Sequence, residues 1–223
     1  MVYDFHTHTT LSDGSLTPIE LIRRASTRGY KALGITDHAG VGSLERVISE
    51  VAEDCALARK HWDIIVAPGV ELTHVPPAAI DEAARRAKEL GAWLVIVHGE
   101  TIVEPVEEGT NLAALQSSCV DILAHPGLIT IEEAQLAAKN GVYLELSGRK
   151  GHSLTNGHVS RVARLTGARL LLNSDAHEPS DLLSPSLAHR IVQGAGLNEE
   201  ECAEVLTSNA CALLSTLPLP KQG

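Results

Sequence analysis

The chain has 223 residues and a formal net charge of −10, because 28 Asp and Glu residues outnumber 18 Lys and Arg. An acidic chain is only weakly attracted to nucleic-acid phosphates or anionic lipids, which disfavours a general nucleic-acid or membrane-surface binder. Aromatic residues make up 3% of the chain, too few to suggest a platform on which bases stack. Eleven residues are histidine, the commonest metal ligand and a frequent acid–base catalyst.

Short apolar segments alternate with longer amphipathic ones along the chain. The apolar segments predict parallel strands buried on both faces, at roughly residues 2–6, 31–36, 64–71, 92–98, 121–125, 142–146 and 169–174. The segments between them predict helices at 18–28, 43–61, 78–90, around 111–118, 130–140 and 156–166, followed by a helical region at 185–215 that breaks near 194–198. Seven strand–helix units indicate parallel pairing with right-handed crossovers, within a single domain over residues 1–223.

Several helix boundaries carry local signals. Thr17 and Pro18 predict the start of the first helix and Gly29 its end. Thr130, followed by two acidic residues, predicts the start of the fifth helix. The Pro-rich segment 217–220 is predicted to be a frayed terminus. These patterns are compatible with both a doubly wound open sheet and a closed barrel.

Cysteine usage and the N-terminal sequence bear on compartment. The four cysteines contain no Cys-x-x-Cys pair and suggest no disulfide framework, so we expect small buried side chains. The N-terminal residues lack a basic region followed by an apolar one, and the apolar runs are too short to cross a bilayer. We therefore expect a cytoplasmic protein with no membrane partner.

Potential metal ligands follow the C-terminal ends of six predicted strands. They are His6, His8, Asp13, His38, Glu71, His98, His125, Asp175 and His177. In parallel α/β folds these strand ends meet on one face, so residues distant in sequence converge there. Imidazole and carboxylate ligands suit Zn, Fe or Mn. Nine donors exceed the usual needs of one or two ions, which predicts a site for three divalent ions.

The motifs around these residues resemble one known family. They read His6-Thr7-His8, Ser12-Asp13-Gly14, Thr36-Asp37-His38, Gly69-Val70-Glu71, Val97-His98-Gly99, Ala124-His125-Pro126 and Ser174-Asp175-Ala176-His177. Over about residues 2–215 the chain is similar to the PHP (polymerase and histidinol phosphatase) superfamily. The resemblance implies a distorted (β/α)7 barrel with a trinuclear metal site at the C-terminal strand ends. It also implies a stand-alone, histidinol-phosphatase-like, metal-dependent phosphoesterase.

The resemblance implies a role for each donor. The first ion would be held by His6, His8, Glu71 and Asp175, the second by Glu71, His98 and His125, and the third by Asp13, His38 and His177. Glu71 would bridge the first two ions, and Glu71, Asp175 and His177 are the predicted catalytic residues. The family often has His at the position of Asp13, so the third site is expected to be weaker or to prefer a harder metal.

The implied reaction is hydrolysis of a small phosphomonoester, histidinol-phosphate-like or a nucleotide, by a hydroxide that bridges two ions. Three divalent ions would leave the pocket at about +2, so it attracts a small anion although the chain is acidic. The candidates for binding the substrate phosphate are Arg149 and Lys150, and either His152 or His158 is a possible general acid. Asp37 is expected to orient one of the metal-ligating side chains by contacting it, without binding an ion itself.

The acidic loop 99–110 is open to two interpretations. It could bind an amine-bearing leaving group or form a solvated acidic face. The substrate cannot be chosen from the sequence, and neither can the metal or the oligomeric state.

Other function classes stay open. An amidohydrolase-type (β/α)8 enzyme also begins with His-x-His, but it typically uses Lys at the fourth strand, where this chain has His98. A catalytically idle RNA-binding module, like the protein component of ribonuclease P with this fold, would be expected to lose the ligands and be basic. A nuclease module like that of bacterial polymerases would need a basic track, so long nucleic acid is disfavoured and a short oligonucleotide or mononucleotide is not.

Overall fold

The computed structural model describes residues 1–219. Its strands are β1 (Val2–Asp4), β2 (Tyr30–Ile35), β3 (His38–Ala39), β4 (Ile65–Leu72), β5 (Leu94–His98), β6 (Ile122–Ala124), β7 (Tyr143–Ser147) and β8 (Leu170–Asn173). Within this part of the chain, seven strands pair in parallel in the order β1-β2-β4-β5-β6-β7-β8 and form a nearly closed barrel. The predicted (β/α)7 barrel is confirmed. The two-residue strand β3, which pairs with β4, was not predicted.

Helices cover the outside of the sheet. They are α1 (Pro18–Thr27), α2 (Leu44–His61), α3 (Ile80–Glu89), α4 (Thr110–Gln116), α5 (Ile131–Asn140), α6 (Asn156–Thr166), α7 (Pro185–Gly194), α8 (Glu199–Ala203) and α9 (Asn209–Thr216). A π-helical turn, Glu204–Ser208, joins α8 to α9. The Thr130 hydroxyl accepts from the Glu133 N–H, as the start signal of α5 predicts. Within residues 1–219, no helix combines the length and apolarity that crossing a membrane requires.

The alternation of side chains along each strand separates two layers of the core. On β5, Val95 and Val97 pack in the apolar layer between sheet and helices, whereas Leu94 and Ile96 belong to a second apolar cluster. Because the side-chain period is two, His98 lies on the same side of β5 as Leu94 and Ile96. The inner side of the barrel is therefore apolar toward the N-terminal ends of the strands, its lower end, and polar at their C-terminal ends.

The lower end of the barrel is closed by the C-terminal helix. Leu213 and Leu214 of α9 pack in the inner cluster, and the Asn209 amide donates to the carbonyl of Leu170 at 3.0 Å. Leu217 belongs to the same cluster and Leu219 packs against it. The predicted fraying of 217–220 is therefore wrong for residues 217–219, because burial of these leucines fixes the chain there. Pro220 lies outside the described residues.

The barrel closes between β1 and β8 mainly near their C-terminal ends. A parallel bridge joins Thr7 to Ala176, and the Asp175 N–H donates to the His6 carbonyl at 3.0 Å. The Asn173 side chain accepts from the Phe5 N–H at 2.8 Å. These contacts bring the segments that follow the first and last strands together, and both segments carry predicted site residues.

Candidate metal centre

The structure brings all nine predicted donors to the C-terminal mouth of the barrel. Their ligating atoms fall into overlapping groups within 4.8 Å: His8, Asp13, His38 and His177; His6, Glu71 and His125; His6, His8 and Asp175; and His98, His125 and His152. The last group includes a histidine that the sequence analysis assigned to a different role. Such convergence matches the placement of active sites in barrel folds.

The group of His6, His8 and Asp175 lies between the ends of β1 and β8. The Nε2 atom of His8 is 3.2 Å from Asp175 Oδ1, and the Nε2 atom of His6 is 3.9 Å from the same oxygen. His6 and His8 are fully buried, in keeping with their alternation onto one side of the chain. Two imidazoles and a carboxylate facing one point form a donor set that can hold a divalent ion.

The carboxylate of Glu71, at the end of β4, links the groups. Its Oε2 atom lies 3.3 Å from His6 Nε2 and 2.6 Å from His38 Nδ1, and its Oε1 atom lies 3.6 Å from His125 Nε2. Glu71 is fully buried. A buried carboxylate shared by three imidazoles is placed as a bridging ligand would be.

The group of His8, Asp13, His38 and His177 is the most open to solvent. Asp13 Oδ1 lies 3.1 Å from His177 Nε2 and 3.6 Å from His38 Nε2, and the Asp13 side chain is 56% exposed. The rings of His38 and His177 both lie close to that of His8, with centroids 4.1 and 4.2 Å away. An exposed carboxylate is the weaker holder of an ion in this arrangement, because water screens its charge.

Unpartnered polar atoms at the centre of the site fit a bound cation. His6 Nε2, both ring nitrogens of His8 and Glu71 Oε1 are buried, and none of them has a hydrogen-bond partner in the described chain. A buried polar atom without a partner is costly. Metal ions among these atoms would satisfy His6 Nε2, one ring nitrogen of His8 and Glu71 Oε1, so the residues present fit the ions that the donor pattern predicts.

The charges of the site favour a cation. Burial works to lower the pKa of His6, but Glu145, Glu71 and Asp175 outweigh it and raise that pKa well above its usual range. Burial, followed by the neighbouring charge of His38, lowers the pKa of His8. Burial raises the pKa of Asp175 well above its usual range. The carboxylates that stabilise a proton on His6 would equally stabilise a metal ion beside it.

Backbone strain is concentrated at the mouth. In residues 1–219, three non-glycine residues have positive φ: His74 at 53°, His125 at 25° and Asp175 at 54°. Each such residue costs on the order of 1–3 kcal/mol and persists where its surroundings impose it. Two of the three are predicted ligands and the third lines the cavity above them. Strain at this place is typical of a functional site.

Glu145 is a residue that the sequence analysis missed. Its Oε2 atom accepts from the Asn173 amide at 3.0 Å and lies 2.7 Å from His6 Nδ1, so it fixes which nitrogen of His6 faces Glu71. None of the predicted donors lies at the end of the sixth predicted strand, residues 142–146. A glutamate within the apolar run Tyr143-Leu144-Glu145-Leu146 was the available signal, because such a charge is buried only with a partner.

The acidic loop 99–110 has two structured carboxylates rather than a uniform solvated face. Glu100 Oε1 accepts from the N–H groups of Gly109 and Asn111 at the start of α4. Glu104 reaches back into the site, where its Oε2 atom lies 2.9 Å from His98 Nε2.

Arg149 lies in the site and Lys150 lies beside it. The Arg149 Nη1 atom donates to the Asp175 carbonyl at 3.2 Å and is 2.6 Å from His177 Nδ1. Arg149 lines the cavity of about 340 Å³ above the donors. Lys150 is exposed and lines a neighbouring cleft instead, together with Ser180 and Leu187. The geometry therefore favours Arg149 as the residue that faces a substrate.

The two candidate general acids and Asp37 lie in different places relative to the cavity. His152 is buried and lines the cavity. His158 Nε2 donates to the carbonyl of Ile129 at 2.8 Å, and this residue is not among those lining the cavity. Asp37 accepts from the Thr9 N–H at 2.7 Å and from the Ser12 hydroxyl at 2.6 Å. Asp37 thus positions the loop that carries Asp13. It does this in place of orienting an imidazole.

Comparison with known proteins places the chain in a family. The family model of the PHP domain matches residues 4–119. The chain belongs to the PHP domain family.

Three sequence relatives indicate the range of this family. The chain is 47% identical over 207 residues to the uncharacterized protein MJ1295 of Methanocaldococcus jannaschii, covering 92% of this chain and 95% of that one. It is 27% identical to a probable phosphatase of Thermoanaerobacter sp., covering 90% and 89%. It is 36% identical over 164 residues to the 5'-3' exoribonuclease Rnm of Escherichia coli, covering 72% of this chain and 47% of that relative.

Two solved structures share the fold at low identity. One is an archaeal ribonuclease P bound to mature tRNA, with a TM-score of 0.66, 16% identity, and coverage of 98% of this chain and 96% of that one. The other is the histidinol phosphate phosphatase of Lactococcus lactis with zinc, L-histidinol and phosphate, with a TM-score of 0.58, 16% identity, and coverage of 88% and 94%. At these identities the likeness concerns the fold alone.

Proposed function

We propose that this protein is a metal-dependent phosphoesterase that hydrolyses a small phosphomonoester at the barrel mouth. The observation that carries the proposal is the convergence of nine imidazole and carboxylate donors around unpartnered buried atoms, with Arg149 on the wall of the same cavity. An RNA-binding module needs no such donor set. The name of one relative, a probable phosphatase, supports the same class.

The residues divide the work as follows. In this proposal His6, His8, Glu71 and Asp175 would hold one ion, Glu71, His98 and His125 a second, and Asp13, His38 and His177 a third; the donor clusters at the mouth support this division. Zn, Fe and Mn all suit these ligands. Such ions supply Lewis-acid charge for the phosphoryl oxygens and lower the pKa of a bound water.

The protein side chains position the substrate and its charges. The Arg149 guanidinium carries donors in a fork that matches two phosphoryl oxygens, and it is fixed at the cavity wall through the Asp175 carbonyl. We assign Glu71, Asp175 and His177 to the reaction: Asp175 and His177 line the cavity, and Glu71 Oε1 lies 3.6 Å from His125 Nε2. The cavity of about 340 Å³ is of a size that suits a small molecule.

The substrate is proposed as a small phosphomonoester with a histidinol-like or nucleoside leaving group. The net charge of −10 opposes binding to long nucleic acid, whereas bound ions would attract a small anion locally.

The test is a phosphate-release screen of small phosphomonoesters, including histidinol phosphate and nucleoside monophosphates, after reconstitution with Mn, Zn or Fe. We expect turnover of at least one substrate with at least one metal, and loss of both bound metal and turnover in His98→Ala. Absence of turnover with every metal would contradict the proposal. Tight RNA binding at physiological salt would then favour the binding-module alternative, for which the fold likeness to a ribonuclease P subunit is the observation.

A further inference from the structure

Two loops meet above the second predicted ion position. One follows β5 and carries Thr101, Val103 and Glu104, and the other follows β7 and carries Gly151 and His152. The Thr101 hydroxyl lies 2.8 Å from His152 Nδ1. A Cβ on Gly151, whose φ is 94°, would lie 3.4 Å from the Val103 side chain. The loops are therefore packed against each other, and they hold His152 in one orientation.

His152 is placed as a ligand rather than as a surface histidine. His152 is 4% exposed. Its ring stacks on that of His125, with the centroids 4.0 Å apart and an angle of 17° between the ring planes. Because Thr101 faces Nδ1, the Nε2 atom is directed into the site, where Asp175 Oδ2 lies 3.8 Å away. The ligating nitrogens of His98, His125 and His152 all lie within 4.8 Å of one another.

A carboxylate covers these imidazoles from the solvent side. Glu104 Oε2 is 2.9 Å from His98 Nε2, and Glu104 Oε1 is 3.5 Å from His152 Nε2. The Glu104 side chain is 40% exposed, so it lies at the boundary between site and solvent. Three imidazoles with an acidic side chain across them form a donor set that suits zinc.

We propose that His152 is a further ligand of the ion held by His98 and His125, and that Glu104 closes this position towards solvent. The inference rests on the metal centre proposed above and assigns His152 to metal binding instead of proton donation. It also explains the joint packing of the two loops, because a ligand on a loop holds an ion only where a second contact fixes it. With Nε2 as the ligating atom, Nδ1 carries the proton and donates to the Thr101 hydroxyl, and this hydrogen bond is the contact that fixes the ring.

The experiment is a Zn²⁺ titration of the stripped chain, with bound metal counted by elemental analysis and affinities obtained by chelator competition. Wild type is expected to bind three ions, and His152→Gln to bind one of them at least about tenfold more weakly while the other two are unchanged. Glu104→Gln is expected to weaken the same ion by a smaller factor. His61→Gln, which removes an exposed imidazole of α2, should match wild type.

Thr101→Val keeps the His152 ring and removes its hydroxyl partner, so it tests the inference if His152→Gln does not fold. It is expected to weaken the same ion by about tenfold. Wild-type zinc affinities in both His152→Gln and Thr101→Val would overturn the ligand assignment, as would a wild type that binds no zinc. An unchanged Glu104→Gln would overturn the closing role of Glu104. Loss of one ion in His152→Gln from a protein that hydrolyses no phosphoester would support the inference and contradict the proposed function.

Discussion

Individual side chains at the barrel mouth act through the partners that fix them. His6 is held by Glu145 on one ring nitrogen and faces Glu71 with the other. Asn173 in turn donates to Glu145 and accepts from the backbone of Phe5. A chain of this kind fixes the tautomer and direction of a metal-binding imidazole and raises its basicity.

Replacing Glu145 with Gln should weaken this orientation while leaving a side chain of the same size. We expect metal affinity at the position of His6 to fall about 10–100-fold, because the amide accepts from the imidazole N–H less strongly than a carboxylate does. Chelator competition measures the change. Glu89→Gln, on the exposed end of α3, is the matched control, and a metal affinity equal to that of wild type would remove Glu145 from this role.

Replacing Arg149 with Ala should affect substrate more than metal. One charge-assisted hydrogen-bond pair contributes about 1.5–3 kcal/mol, so we expect kcat/KM to fall about 10–100-fold with metal content unchanged. Steady-state kinetics together with metal analysis measure both quantities, and Lys139→Ala on α5 controls for loss of a surface cation. Unaltered kinetics would show that Arg149 does not bind the phosphate.

The starts of α5, α7 and α8 are fixed by side-chain hydrogen bonds at their N-caps. Helix α8 begins at Asn198 with a capping box, in which the Asn198 side chain accepts from the Glu201 N–H and Glu201 accepts from the Asn198 N–H. Glu201 also receives two hydrogen bonds from Arg164 at the end of α6. The same carboxylate thus caps one helix and ties it to another.

This contact has a definite pH dependence. The hydrogen bonds from Arg164, and next from the Asn198 N–H, lower the pKa of Glu201 to about 2. A folded-state pKa below the unfolded one stabilises the fold above about pH 4.3, and the stabilisation is lost as pH falls towards 2. Glu201→Gln should therefore lower Tm by about 2 °C at neutral pH, since exposed pairs contribute little. Thermal unfolding measured from pH 7 to pH 2.5 should show the difference shrinking, and a constant difference would contradict the assignment.

The whole molecule combines an acidic net charge with a barrel mouth whose clustered donors could hold cations. The net charge of −10 opposes the binding of long polyanions, while ions held by the donors at the strand ends would concentrate positive charge there. Below this mouth, the inner side of the barrel is filled by an apolar cluster to which α9 contributes Leu213 and Leu214. The single-domain organisation over residues 1–223 stays a prediction.

Much of this architecture follows from local patterns. The apolar runs ending in His98 or Glu71 identify strand ends, and strand ends converge in any parallel barrel, so the placement of these residues on one rim was predictable. The periodicity of the apolar segments allowed both an open sheet and a closed barrel, and the family resemblance selected the barrel.

Contacts made by loops were not predictable in the same way. His152 and Glu104 are 48 positions apart and meet only because two loops pack together, which no local pattern specifies. Likewise, His158 and Lys150 are close in sequence to Arg149, yet one binds the Ile129 carbonyl and the other lines a neighbouring cleft. The direction in which a loop side chain points after a strand end therefore depends on tertiary packing.

The central claim is that ions held at the barrel mouth are required for phosphoester hydrolysis. The most direct measurement strips the chain with a chelator, restores Mn, Zn or Fe stepwise, and records bound metal and phosphate release in the same samples. We predict no release from the stripped chain and release that rises as ions bind, up to about three per chain. Full activity in the stripped chain, or three bound ions with no release from any phosphomonoester, would contradict the claim.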